Sequence, residues 1–301
     1  MPADSPLIQM LAEMRDRQRR VEKASLAIRG AEVTATSPEG KTASMPIDAF
    51  LAKVAARRMD TGGVVLPDGV KAVMTEGGIT IWIYECPPCI QRFCWIAPDS
   101  PVPFGPGTQY RPVRIALPYL VVLAVFAADA DGNLQLTGAN ECFFRIRPLK
   151  TLDDELLFPG LLNCSRFDPP DGHPLSWICT EHLPTTPAMR DPDTGKRLVA
   201  SFEALRHCLL ETGFNLSSEH HECSSWYTAS TQVDPRIRTV EAWEEASSKN
   251  PLFVLDVPWL PAHHTVRQAA ERIFHHLNAR AKAPRTAAAL ARIVFNQSVH
   301  V

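Results

Sequence analysis

A chain of 301 residues, 45% hydrophobic and 21% charged, is long enough to bury a substantial core and too apolar to stay disordered. Its 31 basic and 33 acidic residues leave a net charge of −2, so no bulk positive field draws it to nucleic acid or to an anionic membrane. The first predicted element is an amphipathic helix over residues 5–23, with apolar positions at Leu7, Ile8, Leu11, Met14 and Val21 beside the basic run Arg15 to Arg20. Short β-prone runs follow at 27–29 and 33–36, with a turn at 38–41 and a helical period over 46–57. Beyond the turns at Gly62-Gly63 and Pro67-Asp-Gly69, strands are predicted over 70–74, 78–85, 90–96, 113–116, 121–127 and 134–137. The last two are joined by a hairpin-like Asp129 to Asn133. Residues 143–183 are apolar but without regular period, and predict a packed irregular segment of the kind that carries function. Helices are predicted over 198–210, 238–247, 265–281 and 286–296. Between them, 223–231 reads as irregular or extended and 252–260 as a buried loop or strand.

Apolar runs such as 117–128 reach about a dozen residues, short of the roughly 20 that span a bilayer. The amino terminus, Met1-Pro-Ala-Asp-Ser-Pro-Leu-Ile8, has neither the basic stretch nor the apolar core of an export signal. A cytoplasmic protein with no membrane and no nucleic-acid partner is expected, and its eight cysteines are then expected as reduced thiols. Twenty-six prolines exclude an all-α fold. The expected class is α+β, with an amino-terminal helix and small α/β extension over 1–63, a core over 64–260 and carboxy-terminal helices over 261–301.

Few motifs carry chemistry by themselves. Cys86-Pro-Pro-Cys89 has the spacing of a zinc half-site or a dithiol, but no second such pair stands at ligand distance. A proline-interrupted strand edge is the plainer reading, with no metal and no cofactor. His220-His221-Glu-Cys223 could join such a site but, as an isolated cluster, reads as polar surface, and the pairs His263-His264 and His275-His276, in or beside the carboxy-terminal helix, read the same way because adjacent side chains on a helix diverge by about 100°. Asp153-Asp154-Glu155 reads as a solvated turn. Neither phosphate-binding glycine pattern is present.

The most informative stretch runs from Leu156 to Leu183. It presents Phe158-Pro-Gly160, then Asn163, the turn around Asp171-Gly172-His173, the apolar anchors Trp177-Ile178, and Cys179. With the meander before it and helices after it, this order resembles ubiquitin-conjugating enzymes. The closer likeness is to the prokaryotic ubiquitin-conjugating-like family that includes PRTRC system protein B. The residues that carry it are Thr80 to Tyr84, Cys86-Pro-Pro88, Arg92-Phe93, Ala116 to Val122, Asp129 to Leu134, Arg147-Pro148, Phe158 to Asn163 and Trp177-Ile-Cys179. Asn163 precedes Cys179 by sixteen residues, a wider spacing than the family's, so the resemblance implies an insertion between them. The family's histidine before the proline turn has no counterpart here.

The resemblance implies a ubiquitin-conjugating-like fold and a transferase that carries a ubiquitin-like protein as a thioester on Cys179. A ThiF-like activating enzyme would load it, and a JAB-type metalloprotease is an expected companion. A thiolate is both a strong nucleophile and a competent leaving group, so it can accept an acyl group from one thioester and yield it to an amine. Asn163 could supply the oxyanion donor, Trp177 and Ile178 would anchor the loop, and Asp171, His173, Glu181 or His182 could orient or deprotonate an incoming lysine. Three other readings stay open. They are an inactive module that binds a ubiquitin-like protein, a zinc-binding structural protein using Cys86 and Cys89 with Cys94 or Cys223, and a cysteine hydrolase pairing Cys179 with His182 or His220.

Overall fold

The computed structural model describes residues 25–37, 39–50, 64–95, 110–129, 133–165, 175–180, 183–212 and 225–281. The predicted helices over 5–23 and 286–296, and most of the helical period over 46–57, lie outside the described residues. The chain divides into two compact units, 1–60 with 279–301, and 61–278. In the first, β1 (Ser25–Arg29), β2 (Glu32–Thr36) and β3 (Thr42–Pro46) form a three-stranded antiparallel sheet in sequence order. Its β1–β2 turn uses Gly30 at φ 61°, a left-handed conformation that costs glycine little.

The second unit is built on antiparallel strands. They are β4 (Val70–Glu76), β5 (Ile79–Cys86), β6 (Cys89–Trp95), β7 (Arg111–Leu117), β8 (Tyr119–Ala128), β9 (Leu134–Leu136) and β10 (Glu141–Arg145). The short strands β11 (Glu155–Leu157), β12 (Cys164–Ser165) and β13 (Trp177–Ile178) follow, with β14 (Pro261–Thr265) near the end. The helices are α1 (Thr194–His207), α2 (Trp226–Ser230), α3 (Val240–Lys249) and α4 (Val266–Ala281). The molecule is therefore α+β, as the sequence implies. The order across the main sheet is β12-β13-β10-β8-β5-β4, with β9 beside β8 and β11 bridging β10 to β14.

Proline places the main irregularity of this sheet. β5 pairs with β8 from Ile79 opposite Ala127 to Cys86 opposite Leu120, and β6 pairs with β7 from Cys89 opposite Leu117 to Trp95 opposite Arg111. The register is the same on both sides of the gap, so β5–β6 and β7–β8 are two long strands paired throughout and interrupted at one level. Pro87-Pro88 on one strand and Pro118 on the other stand at that level, where the missing N–H groups cannot continue the ladder. The expected proline-interrupted strand is what forms here. At the other end of β5, Glu76 pairs with Ile79 across Gly77-Gly78, both with positive φ (61° and 87°), the geometry of a tight two-residue hairpin.

Both faces of the sheet are buried, and alternation assigns each residue to one of them. Ile79, Ile81, Ile83, Val121, Leu123, Val125 and Phe143 pack with Val266, Ala269, Ala270, Ile273 and Phe274 of α4. Trp82, Tyr84, Val122, Ala124, Phe126, Cys142 and Phe144 pack with Leu198, Phe202 and Leu205 of α1, Trp226 of α2, and Val240 and Trp243 of α3. Burying one such large apolar side chain contributes roughly 1.5–3 kcal/mol, so this layered centre supplies most of the driving force. The outer edge of β7 is covered by α3: Glu244 and Ser247 accept the amides of Arg114 and Ala116 at 2.9 and 2.8 Å, and Trp243 Nε1 donates to the Ala116 carbonyl at 3.0 Å. Such pairing satisfies an edge that would otherwise be open to another chain. No helix among the described residues is long and apolar enough to cross a membrane.

Several elements differ from the sequence reading. Residues 223–231, read as irregular or extended, include α2, whose cap Ser225 accepts the amide of Tyr227 and stabilises its first turn. Residues 252–260, read as a buried loop or strand, are the loop of those two alternatives: a 3-10 turn (Pro251–Leu255) and a coil that buries Val257 and Trp259. His263 and His264 lie on β14, beside α4 and not in it. The segment read as irregular contains part of β10 and all of β11, β12 and β13.

Gly160 shows how tightly this region is packed. A Cβ there would lie 2.9 Å from the Trp259 ring and 3.3 Å from the Trp243 ring. Gly160→Ala is expected to destabilise the protein by about 1–3 kcal/mol, the usual cost of overpacking a core. Urea unfolding checks this, and an unchanged midpoint would contradict it.

Candidate functional site

Cys179 sits immediately after β13, where the chain leaves a two-stranded pairing of β12 with β13. Cys164 is opposite Ile178 and Ser165 opposite Trp177. One step further in the same register brings Asn163 opposite Cys179, and the Cys179 amide donates to the Asn163 carbonyl at 3.0 Å. The sixteen-residue gap in sequence is thus a hairpin connection, and its two ends meet. Directly opposed residues of an antiparallel pair share a face, so the register itself makes the two neighbours.

The hairpin is fastened on every side. β13 pairs with β10 through Glu141 opposite Trp177, and the amides of Cys142 and Ile178 donate to Ser176 and Asn140 at 3.0 and 2.9 Å. Trp177 Nε1 donates to the Gly138 carbonyl at 2.6 Å, and Ile178 is fully buried. Ile178 is the core anchor expected of it, whereas Trp177, expected in the core as well, is only half-buried and holds the strand through its indole hydrogen bond. On the β12 side, Ser225 Oγ lies 3.1 Å from the carbonyls of Leu161 and Leu162, and ahead of β13, Trp226 Nε1 donates to the Leu175 carbonyl at 2.9 Å. Ser225 and Trp226 were not among the sequence candidates. The Ser-Trp pair that caps α2 is the only local signal for them, and it was hidden in a stretch read as irregular.

The third wall comes from the end of α1, which widens into a π turn at Cys208–Thr212. A π turn leaves carbonyls out of the regular helical ladder, and these require outside donors. Asn163 Nδ2 donates to the Leu209 carbonyl at 2.8 Å and Gln91 Nε2 to the Leu210 carbonyl at 3.2 Å, while Cys208 Sγ lies 3.5 Å from the Cys179 carbonyl. Asn163 is buried with one side-chain N–H committed to the π turn, and its Oδ1 has no hydrogen-bond partner among the described residues. Cys179 is half-buried. The other sequence candidates, Asp171, His173, Glu181 and His182, lie outside the described residues, as do His220, His221 and Cys223.

One strand inward stands Glu141, buried in the sheet. Burial lifts its carboxyl to about 7, against the opposing pull of the Leu175 and Ser176 backbone amides and of Arg272. Its Oε1 accepts the Leu175 amide at 3.3 Å, where the chain re-enters the hairpin. Cys86 and Cys89 lie at the proline break, with their sulfurs 4.0 Å apart. Among the described residues, no group of three His, Cys, Asp or Glu side chains is placed to hold a metal ion. Comparisons with family models, with curated proteins and with solved structures found no match to this chain.

The Glu141 carboxyl gives the hairpin a pH signature. Between its ordinary value of 4.5 and about 7, the folded protein holds a proton that the unfolded chain has lost. Its contribution is therefore present in full below about 4.5 and is lost as pH rises through about 7, a fall of about 3 kcal/mol. Glu141→Gln is expected to remove that part of the pH dependence. Urea unfolding of both proteins across this range tests it, and parallel profiles would contradict it.

Proposed function

We propose that the protein is a ubiquitin-conjugating-like transferase that carries a ubiquitin-like protein as a thioester on Cys179 and passes it to an amine. The observation that carries this reading is the pairing of Asn163 with Cys179 at the mouth of the β12–β13 hairpin. The pair follows an antiparallel run of β4, β5, β8 and β10 and precedes the helices, the order that the sequence resemblance implies. The partial exposure of the Cys179 residue is compatible with a role in exchange.

In the first step, the Cys179 thiolate attacks the thioester carbonyl joining the modifier to a ThiF-like activating enzyme. A new C–S bond forms, and the enzyme's thiolate leaves. In the second, an amine attacks the Cys179 thioester, the C–S bond breaks, the thiolate is released and the amine's extra proton passes to a base. The exchange is nearly balanced in free energy, and aminolysis of the thioester to an amide is favourable, so the protein's task is to hold the sulfur and stabilise the oxyanion. The second side-chain N–H of Asn163 is the proposed donor. Asp171, His173, Glu181 and His182 are the proposed groups for orienting or deprotonating the lysine. A JAB-type metalloprotease that reverses the linkage belongs to the same proposed pathway.

A charging assay with the cognate activating enzyme, the modifier and ATP tests the proposal. A conjugate that disappears under reducing agent is expected with the native chain and with Cys142→Ser and Cys208→Ser. Cys179→Ala is expected to abolish it, and Cys179→Ser to replace it with a reductant-resistant ester or to abolish charging. Asn163→Ala is expected to charge and then discharge to an amine about one to three orders of magnitude more slowly, corresponding to roughly 2–4 kcal/mol for one oxyanion donor. Charging that survives Cys179→Ala would overturn the transferase reading. Binding of the modifier without any charging would leave the module that only binds a ubiquitin-like protein.

A further inference from the structure

A second pair of thiols lies away from Cys179, at the break in the central strands. In an uninterrupted strand, residues three apart point to opposite faces of the sheet. Cys86 ends β5 and Cys89 begins β6, yet Pro87-Pro88 turns the chain so that their sulfurs lie 4.0 Å apart, both half-buried. A disulfide needs sulfurs about 2 Å apart, so closure requires a shift of about 2 Å. The break eases such a shift, because Pro87 and Pro88 have no N–H to tie the backbone between the two cysteines into the ladder, although Cys86 and Cys89 themselves pair with Leu120 and Leu117.

We infer that Cys86 and Cys89 form a thiol–disulfide exchange site, with small-molecule or exposed protein disulfides as substrates, Cys86 as the attacking sulfur and Cys89 as the resolving one. The two positions are not equivalent. Cys89 beside it, then the Tyr84 hydroxyl and Arg206 of α1, favour the Cys86 thiolate against burial and the charge of Glu85, and hold Cys86 at about 7. The same contact, reinforced by burial, pushes the Cys89 thiol well above its ordinary range. Arg206 is itself held in place by Glu203 at 2.8 Å and by a hydrogen bond with Tyr84. Exchange is fastest for an attacking thiol whose acidity is near the ambient pH, and a high resolving thiol keeps the second sulfur protonated until the first has reacted.

The reaction balances without a metal or a further cofactor. The Cys86 thiolate attacks one sulfur of a disulfide R–S–S–R, forming Cys86–S–S–R and releasing one thiolate. Cys89 then gives up its proton and attacks Cys86 Sγ, forming the Cys86–Cys89 disulfide and releasing the second thiolate. Two electrons and two protons pass from the protein to the substrate, which leaves as two thiols.

Oxidised glutathione added to the reduced full-length protein, followed by peptide mass mapping, tests the inference. The expected product is an intramolecular Cys86–Cys89 disulfide with two equivalents of glutathione released. Cys89→Ser is expected to stop with glutathione on Cys86, and Cys86→Ser to slow exchange at this site by about tenfold or more. Should a variant fail to fold, alkylation of the native protein as a function of pH gives an independent reading, with the rate at Cys86 rising through a midpoint near 7. The Cys179→Ser background is expected to behave as the native chain does, which separates this site from the transferase proposal. A disulfide that forms elsewhere and not between Cys86 and Cys89, or a mixed disulfide found on Cys89 in preference to Cys86, would overturn the inference.

Discussion

The pairing of β5 with β8, buried on both faces, is the constraint from which the rest of the second unit follows. A strand with no access to water must satisfy each backbone N–H and C=O within the sheet, because an orphaned group would cost more than a typical hydrogen bond contributes. Ile79 through Cys86 and Leu120 through Ala127 meet that demand residue by residue. Once this register is set, alternation alone sends Ile79, Ile81, Ile83, Val121, Leu123 and Val125 toward α4, and Trp82, Tyr84, Val122 and Phe126 toward α1 and α3. Where Pro87, Pro88 and Pro118 withhold their N–H groups, the ladder stops on both strands at one level and resumes without slipping. A one-residue slip would have turned every buried side chain of β6 and β7 to the wrong face.

The same constraint positions the two cysteine sites. β10 adds to the free side of β8, and β13 then adds to β10, so the hairpin carrying Asn163 and Cys179 is reached by extending the buried sheet outward. The dithiol occupies the opposite circumstance, a point where the sheet is interrupted. One site depends on a ladder that continues and the other on a ladder that breaks. The end of α1 lies close to both: Arg206 influences Cys86, and the π turn that begins at Cys208 receives Asn163 and Gln91.

How much of this was legible in the sequence follows from the length and periodicity of each piece. β4 through β9 were readable because they combine β-branched or aromatic residues with glycine and proline punctuation, and α4 because its apolar stripe repeats over sixteen residues. β10 was not, since Glu141-Cys-Phe-Phe-Arg145 is buried at every position and shows no alternation. A buried strand that includes Glu141 and Arg145 contradicts composition, and only the tertiary partners of those side chains make it tolerable. β12 and β13 are two residues each and carry no periodic signal. Cys179 and Asn163 stood out by order along the chain, but their meeting depended on a register that sequence spacing obscured. Ser225, Trp226 and the π turn act through backbone carbonyls, which leave no trace in residue identity.

The β12–β13 register sets Asn163 directly opposite Cys179. Opposed residues of an antiparallel pair have Cα atoms about 4.5–5.5 Å apart, within the span a disulfide bridges. Asn163→Cys, oxidised under mild conditions and mapped by mass spectrometry, measures that register without reference to any activity. A crosslink between position 163 and Cys179 is expected. An oxidised protein in which position 163 bonds to another cysteine, or stays reduced while Cys179 remains reactive to alkylation, would contradict it.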